Sequence, residues 1–136
     1  MENMNLFAIL QFCRACMNTV DNLAICFSDV RVLAQLCNVP GMHTPAQLAL
    51  QLNVSRAMIS AVITRMVADG VVVRVPSPDD GRSVCVMPTK LGRKTMQQIN
   101  NNIQALQQQL ASVMGQKKVD DLIKLIEQAN RVLGRE

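Results

Sequence analysis

Residues 44–70 read TPAQLALQLNVSRAMISAVITRMVADG, and this stretch predicts two short helices joined by a tight turn. Thr44 is a suitable N-cap; Pro45 fits the first helical position, and Gln47 can close a capping box with Thr44. Asn53 tolerates the left-handed backbone of a sharp turn, and Ser55 is suited to cap the second helix. The stretch therefore predicts a helix-turn-helix.

The second of these helices has two contrasting faces. Its apolar residues recur at helical spacing and are expected to face the core: Ile59, Val62, Ile63 and Met66. The residues expected on the outward side are small, polar or basic: Arg56, Ala57, Ser60, Ala61 and Thr64. A thin, hydrogen-bonding and positively charged face fits a DNA major groove about 12 Å wide, so the pattern predicts a DNA-reading helix.

The flanking sequence predicts further helices and one β-hairpin. In chain order, the predicted elements are a helix with a wide apolar stripe at 6–27, a helix at 28–38 capped by Ser28, the helix pair at 44–69, hairpin strands at 71–75 and 83–87, a long helix capped by Thr89, and a last helix after Gly115. This order predicts a mainly α (α+β) fold, a winged helix-turn-helix with a two-stranded β-hairpin wing and dimerisation helices at both ends.

The two ends of the chain carry more apolar surface than a small winged domain can cover. The long helix has apolar residues at heptad spacing, a pattern typical of a helix that packs against a partner helix. These residues are Met96, Ile99, Ile103, Leu106, Leu110 and Val113. We expect Leu106 and Leu110 to be buried at or near a homodimer interface, and a dimer of this kind reads a palindromic site. One domain is expected over 1–136, with a DNA-binding part at 28–90 and helical dimerisation parts at 1–27 and 91–136.

The formal charge of +4 is concentrated in one part of the chain. Residues 56–94 contain seven basic and three acidic residues, a net of +4, whereas residues 1–55 have a net of −1 and residues 95–136 a net of +1. A basic excess confined to one segment is typical of a phosphate-binding surface, although a solvated basic surface is an equally good interpretation of the charge alone.

Composition also argues against several classes of protein. The 136 residues contain neither an apolar run of about 18 residues nor a signal peptide, which predicts a cytoplasmic protein with no membrane span. The single histidine, His43, has no nucleophile or carboxylate near it in sequence, so we expect no enzyme activity, no metal site and no cofactor. Five cysteines in mostly apolar helical patterns suit a reducing compartment.

Cys13 and Cys16 form a C-x-x-C that has two interpretations. Both cysteines fall on the apolar stripe of the first predicted helix, which favours structural packing, and a redox role is the alternative. Cys26, Cys37 and Cys85 are expected in the core. The side chains of Phe12, Met17, Met42 and Met66 form a candidate effector pocket, because methionine-rich surfaces adapt to ligands, although residues at such spacing are more often core.

The chain resembles the MarR family of transcriptional regulators over nearly its whole length. The matching segments are LNVSRAMIS in the reading helix, GVVVR around Gly70 and Arg74, DDGR at the wing tip and TKLG at the start of the long helix. The resemblance implies that Asp80 positions Arg82 for the minor groove and that Ser55 to Ser60 begin the reading helix. It also implies that Arg65 and Arg74 are the basic positions flanking the wing, and that peroxide-sensing members have a reactive cysteine in the first helix.

These observations together predict a homodimeric, sequence-specific regulator that binds double-stranded DNA at a palindromic operator, a repressor relieved by a small-molecule effector or a redox signal. A winged-helix protein-interaction module or a cysteine-based redox switch is the alternative. The candidate DNA-contacting residues are Thr44, Ser55, Arg56, Ala57, Ser60, Ala61, Thr64, Arg65, Arg74, Asp80 and Arg82.

Overall fold

The computed structural model describes residues 4–79 and 81–134. Its elements in chain order are α1 (Leu6–Met17), α2 (Val30–Asn38), α3 (Pro45–Leu52), α4 (Arg56–Ala68), β1 (Val72–Pro76), β2 (Val84–Pro88), α5 (Lys90–Met114) and α6 (Gln116–Gly134), with 3₁₀ turns at Asn18–Val20 and Phe27–Asp29. The predicted order of helices and hairpin is confirmed. The chain has a mainly α fold with one two-stranded antiparallel sheet.

The first helix is shorter than its apolar pattern predicted. It ends at Met17, and the prediction that it continues to residue 27 is wrong. After the helix the chain makes a 3₁₀ turn and then passes through a left-handed residue, Asn22, with φ of 64°. This break lets Val20 and Ile25 enter the core, which a continuing helix would not do.

The start of the second helix also differs from the prediction. Ser28 lies within the 3₁₀ turn, and the N-cap position of α2 is occupied by Asp29. The Asp29 side chain makes no capping hydrogen bond to α2, which leaves its carboxylate available for another partner.

The helix-turn-helix forms as its local signals predict. The Thr44 hydroxyl accepts a hydrogen bond from the Gln47 N–H at 3.2 Å, and the Gln47 side chain accepts from the Thr44 N–H at 2.9 Å, so the capping box is complete. Asn53 adopts the left-handed conformation, with φ of 54° and ψ of 50°. The Ser55 hydroxyl accepts from the Met58 N–H at 3.1 Å and starts α4.

The core joins α2, α3, α4, the hairpin and the first turns of α5. Its largest side chains with almost no exposure include Leu33, Leu48, Ile59, Ile63, Met66, Val71, Val86 and Ile99. Because the buried face of α4 packs in this core, the opposite face is directed to solvent.

The wing is attached to the start of α5 through backbone contacts. In the hairpin, Val72 pairs with Pro88 and Pro76 with Val84. The Thr89 N–H donates to the Val71 carbonyl at 3.0 Å, and the Thr89 hydroxyl donates to the Gly70 carbonyl at 2.6 Å. The same hydroxyl accepts from the Gly92 N–H at 3.0 Å, which confirms Thr89 as the cap of the long helix.

The chain divides into two compact units, Met1–Ile99 and Asn100–Glu136. In the second unit, Leu106 and Leu110 are half-buried, Val119 is buried, and Ile103 and Val113 are exposed. The predicted burial of the apolar residues at heptad spacing is therefore only partial within one chain. Among the residues that the structure describes, no helix combines the length and apolar character needed to cross a membrane.

Candidate nucleic-acid interface

The outward face of α4 has the composition that its sequence predicted. Five residues on it are exposed, namely Arg56, Ala57, Ser60, Ala61 and Thr64. The opposite face is buried and consists of Ile59, Val62, Ile63 and Met66. The exposed face carries one guanidinium, two hydroxyls and three methyl groups, which is a chemistry suited to both phosphates and base edges.

Two of the candidate contact residues, Thr44 and Ser55, hold hydrogen bonds that cap helices. Thr44 is half-buried, and its hydroxyl is engaged in the capping box of α3. Ser55 is exposed and caps α4 through the Met58 N–H. Both hydroxyls lie at helix N-termini, where partial positive charge favours an anion such as a phosphate. Direct DNA contacts by Thr44 and Ser55 stay predictions.

The wing is linked to α4 by a side-chain hydrogen bond. Nη2 of Arg74 on β1 donates to the Thr64 hydroxyl oxygen at 3.2 Å, and this hydroxyl donates to the Ser60 carbonyl of its own helix at 2.9 Å. Two predicted contact residues, Thr64 and Arg74, are therefore brought together at the joint between α4 and the wing. At the wing tip, Arg82 is exposed, and the Ser77 N–H donates to the Ser83 carbonyl at 2.9 Å. Asp80, the other predicted residue of the wing pair, lies outside the described residues.

Arg65 forms a bidentate ion pair that sequence reasoning missed. Its Nε donates to Oδ2 of Asp29 at 2.8 Å, and its Nη2 donates to Oδ1 at 2.6 Å. Asp29 has no exposed surface, whereas the Arg65 side chain is 43% exposed. The hydrogen bonds that Arg65 donates to Asp29, together with the charge of this carboxylate, raise the pKa of the Arg65 guanidinium. A DNA contact by Arg65 stays a prediction, but this arginine also has an intramolecular partner.

Nothing in the sequence pattern pointed to Asp29 as that partner. It is an acidic residue at the start of an apolar helix, a position where a capping role is the ordinary interpretation. The two residues are 36 positions apart, so no helical or strand periodicity connects them. Only the tertiary structure, which brings the 3₁₀ turn before α2 next to α4, reveals the pair.

Cys26 and Asp69 lie beside this ion pair. One ligand-type atom from each of Cys26, Asp29 and Asp69 lies within 4.8 Å of the others, an arrangement that can in principle hold a cation. Both oxygens of Asp29 already accept hydrogen bonds from Arg65, so the guanidinium is the cation that this cluster holds. Cys26 is exposed, and the prediction that it belongs to the core is wrong, because the chain leaves the helical pattern before it reaches this residue.

The other cysteines differ in burial. Cys13 is exposed and Cys16 half-buried; burial, followed by the nearby Cys13, raises the pKa of the Cys16 thiol. Burial likewise raises the pKa of Cys37, against a smaller opposing effect of Arg93. A raised pKa reduces the thiolate fraction and makes a thiol less reactive. Cys85 is buried, as predicted, and Cys37 is half-buried.

The residues of the candidate effector pocket are in different surroundings. Met66 is fully buried in the core, while Phe12 and Met17 are exposed on α1. Met42 lines a cavity of about 350 Å³ together with Leu36, Cys37, Val39, Pro40, Gly41, Val86, Met87, Pro88 and Arg93. Phe12, Met17 and Met66 are not among the residues that line this cavity, so the structure does not gather the four predicted residues around it.

His43 has a packing role. It is 4% exposed, its Nε2 lies 3.2 Å from the Val39 carbonyl oxygen, and its own carbonyl accepts from the Val86 N–H at 2.8 Å. These contacts attach the loop before α3 to the second strand of the wing.

A reading helix with an exposed polar face, preceded by a short helix across a left-handed turn and followed by a β-hairpin, defines a winged helix-turn-helix protein. The family model described as MarR family matches residues 27–83, which contain α2, α3, α4 and β1. Over this part of its length the chain is similar to the MarR family.

Solved structures with a similar fold match the chain over nearly its full length. The apo form of wild-type MarR from E. coli is 25% identical, with a TM-score of 0.69, and the match covers 94% of this chain and 98% of that chain. The transcriptional repressor CouR bound to a 23-mer DNA duplex is 24% identical, with a TM-score of 0.76 and coverage of 92% and 88%, a likeness of fold. Comparison with curated proteins gave no match.

Proposed function

We propose that this protein is a homodimeric, sequence-specific DNA-binding transcriptional repressor. The observation that carries the proposal is the exposed face of α4, where Arg56, Ser60 and Thr64 surround small side chains above a fully packed apolar face. In this role α4 enters the major groove, and the wing tip with Arg82 contacts the minor groove. The similarity to CouR, whose structure contains a DNA duplex, supports the same use of the fold.

The distribution of positive charge supports this assignment. Arg56, Arg74 and Arg82 are exposed on α4 and the wing, and Lys90, Arg93 and Lys94 are exposed at the start of α5. Positive side chains near a duplex release condensed counterions, so DNA affinity depends steeply on salt. If a dimer neutralises six or more phosphates, affinity falls roughly 10³-fold or more between 50 and 200 mM salt.

A second copy of the chain is the proposed partner of the exposed apolar side chains at both ends. On α1 these include Leu6, Phe7 and Leu10, and none of the residues of α1 is buried. On α6 they include Leu125, Val132 and Leu133. Large apolar side chains exposed in such number commonly mark a protein interface, and a two-fold dimer suits a palindromic site. Sedimentation as a monomer at micromolar concentration would contradict this part of the proposal.

The main test compares two arginines with different expected roles. A selection of genomic fragments first identifies a cognate duplex, and binding to it and to a scrambled duplex is then measured at one salt concentration. Arg82→Ala should weaken binding to both duplexes, because the minor groove carries a degenerate base code. Arg56→Ala should cost about 1–3 kcal/mol mainly at the cognate duplex if this arginine reads a base.

The control for this test is the melting temperature of each variant, which shows whether the fold is retained. Both arginines are exposed, so each variant should melt at the wild-type temperature. If Arg82→Ala binds both duplexes as tightly as the wild type, the wing does not contact DNA. A winged-helix module that binds an acidic protein partner then becomes the better assignment.

We infer that oxidation of Cys16 is not the signal that relieves repression. The raised pKa of Cys16 leaves little thiolate for reaction with an oxidant. Oxidant added to the DNA complex should therefore leave binding unchanged. Rapid modification of Cys13 or Cys16 at neutral pH, accompanied by DNA release, would instead favour a redox switch.

A further inference from the structure

Asp29 is a buried carboxylate that the helix it precedes does not use. It is fully buried and occupies the N-cap position of α2, yet it makes no capping bond to that helix. Both of its oxygens accept hydrogen bonds from Arg65 on α4, at 2.8 and 2.6 Å, and the Ser28 hydroxyl lies 3.3 Å from Oδ1. Burying a charge is costly, and a buried ion pair is a weak source of stability compared with apolar residues of similar volume. We therefore looked for a role of this ion pair other than stabilising the fold.

Arg65 lies next to Thr64, the residue that hydrogen-bonds the wing. Successive residues of an α-helix point about 100° apart around its axis. The bond from Arg74 to Thr64 and the bond from Arg65 to Asp29 thus hold α4 in two different directions, one toward β1 and one toward the start of α2. Together the two bonds restrain rotation of α4 about its own axis.

The apolar face of α4 supplies a restraint of a different kind. Its buried side chains Ile59, Val62, Ile63 and Met66 hold α4 against the core, but their contacts are non-directional and fix the rotation of the helix less sharply than a directional bond does. A bidentate bond between a guanidinium and a carboxylate requires a fixed distance and plane. A base contact requires the same order of accuracy, because a bidentate contact distinguishes bases only when donors and acceptors are aligned.

We propose that Asp29 is a positioning residue for DNA recognition. Through its bond to Arg65 it fixes the rotation of α4 about its axis, and this rotation determines how the outward residues of α4 are aligned with base edges. This inference rests on the proposed function. Asp29 has no exposed surface and so does not touch DNA. Its effect is on specificity, the ratio of affinity for the cognate duplex to that for a scrambled duplex.

Electrostatics and positioning predict different results for Asp29→Asn. The substitution removes a negative charge beside Arg65, which is partly exposed, so electrostatics alone strengthens binding to both duplexes equally and leaves the ratio unchanged. Positioning predicts unchanged or stronger binding to the scrambled duplex and a specificity ratio that falls about tenfold or more, the size expected when a bidentate base contact is lost.

A double variant separates positioning from a role in stability. Asp29→Leu with Arg65→Met removes both charges, keeps the net charge and replaces the pair with apolar side chains of similar size. Such replacements are often neutral or stabilising, so the melting temperature should be retained or rise. The specificity ratio should still fall about tenfold or more, because the directional bond is gone. If Arg65 also contacts a phosphate, its loss weakens binding to both duplexes and leaves the ratio unchanged. A lowered ratio in Asp29→Asn, which keeps Arg65, excludes loss of a base contact by Arg65 as the cause. Asp121→Asn is the matched control, since it makes the charge change of Asp29→Asn at an exposed position on α6 and should leave the ratio unchanged.

The experiment measures the binding of full-length wild type and the three variants to both duplexes, with affinities corrected for the folded fraction at the assay temperature. A lowered ratio in the folded double variant supports the inference. If the double variant keeps the wild-type ratio, Asp29 contributes only to folding and the inference is overturned, even if Asp29→Asn alone proves too unstable to assay. If the wild type itself shows no preference for the cognate duplex, the proposed function fails first and the inference falls with it.

Discussion

Replacing Gly92 with alanine tests the close approach between α5 and the start of the wing. A β-carbon at this position would lie 2.0 Å from the Val71 carbonyl oxygen, more than 1 Å closer than the 3.4 Å at which ordinary contact begins. The obstacle is backbone, and it is held in place because the same carbonyl accepts the Thr89 N–H at 3.0 Å. Relief of the overlap therefore requires α5 and the wing to separate, and the Thr89 bonds to weaken.

The sign of the change in stability on Gly92→Ala distinguishes steric overlap from helix propensity. Alanine is about 1 kcal/mol more favourable than glycine inside a helix, so propensity alone predicts a more stable protein. Overpacking costs roughly 1–3 kcal/mol, and a backbone obstacle places Gly92→Ala at the upper end. We expect a net loss of about 2 kcal/mol in the free energy of unfolding. For a chain of this length that loss lowers Tm by roughly 6 °C or more.

Circular dichroism during thermal and urea unfolding provides the measurement. Gly81→Ala is the matched control, because a β-carbon on Gly81 meets no atom within 4 Å. The control should be neutral or gain a few tenths to about 1 kcal/mol through a less flexible unfolded chain. A Gly92→Ala variant at least as stable as the wild type would refute the close approach and the wing–helix joint derived from it.

Three further predictions concern the caps, the core and the thiols. Thr44→Ala should lower the free energy of unfolding by about 1 kcal/mol through loss of the capping box, seen as a lower urea midpoint with an unchanged m-value. Leu48→Ala should lower the free energy of unfolding by about 2–5 kcal/mol, because Leu48 is fully buried. Leu50→Ala on the same helix should lower it by less than about 0.5 kcal/mol, because Leu50 is 81% exposed. Equal losses would contradict the assigned orientation of α3. Alkylation of the folded protein, followed by mass spectrometry, should modify exposed Cys26 before Cys16, whose pKa is raised by burial, and the reverse order would refute these assignments.

The helix-turn-helix was predictable from the sequence because its determinants act over three or four residues. Thr44 and Ser55 each bond an N–H three positions ahead, and Asn53 adopts a backbone conformation that few other residues tolerate. The division of α4 into a buried and an exposed face follows from helical periodicity alone. The hairpin was found for a similar reason, since β-branched runs flank a polar turn.

The end of α1 shows where local reasoning fails. The apolar stripe continues with helical spacing to Phe27, but Val20 and Ile25 gain more from burial in the core than from staying in a helix, and the chain turns at Asn22. A helical period shows where apolar residues occur in the sequence. It does not show which part of the structure will bury them. The prediction for Cys26 failed for the same reason.

By itself the sequence determined the order of the elements, the caps of α3, α4 and α5, the two faces of α4 and the concentration of positive charge, because each depends on neighbours along the chain or on composition. Only the tertiary structure decided that Arg65 pairs with Asp29, that Arg74 joins the wing to Thr64, and that Gly92 lies against Val71. These contacts connect residues between 10 and 36 positions apart on different elements. Residues so far apart in the sequence are not related by helical or strand periodicity. Their contacts form only when the hydrophobic core has brought the elements together.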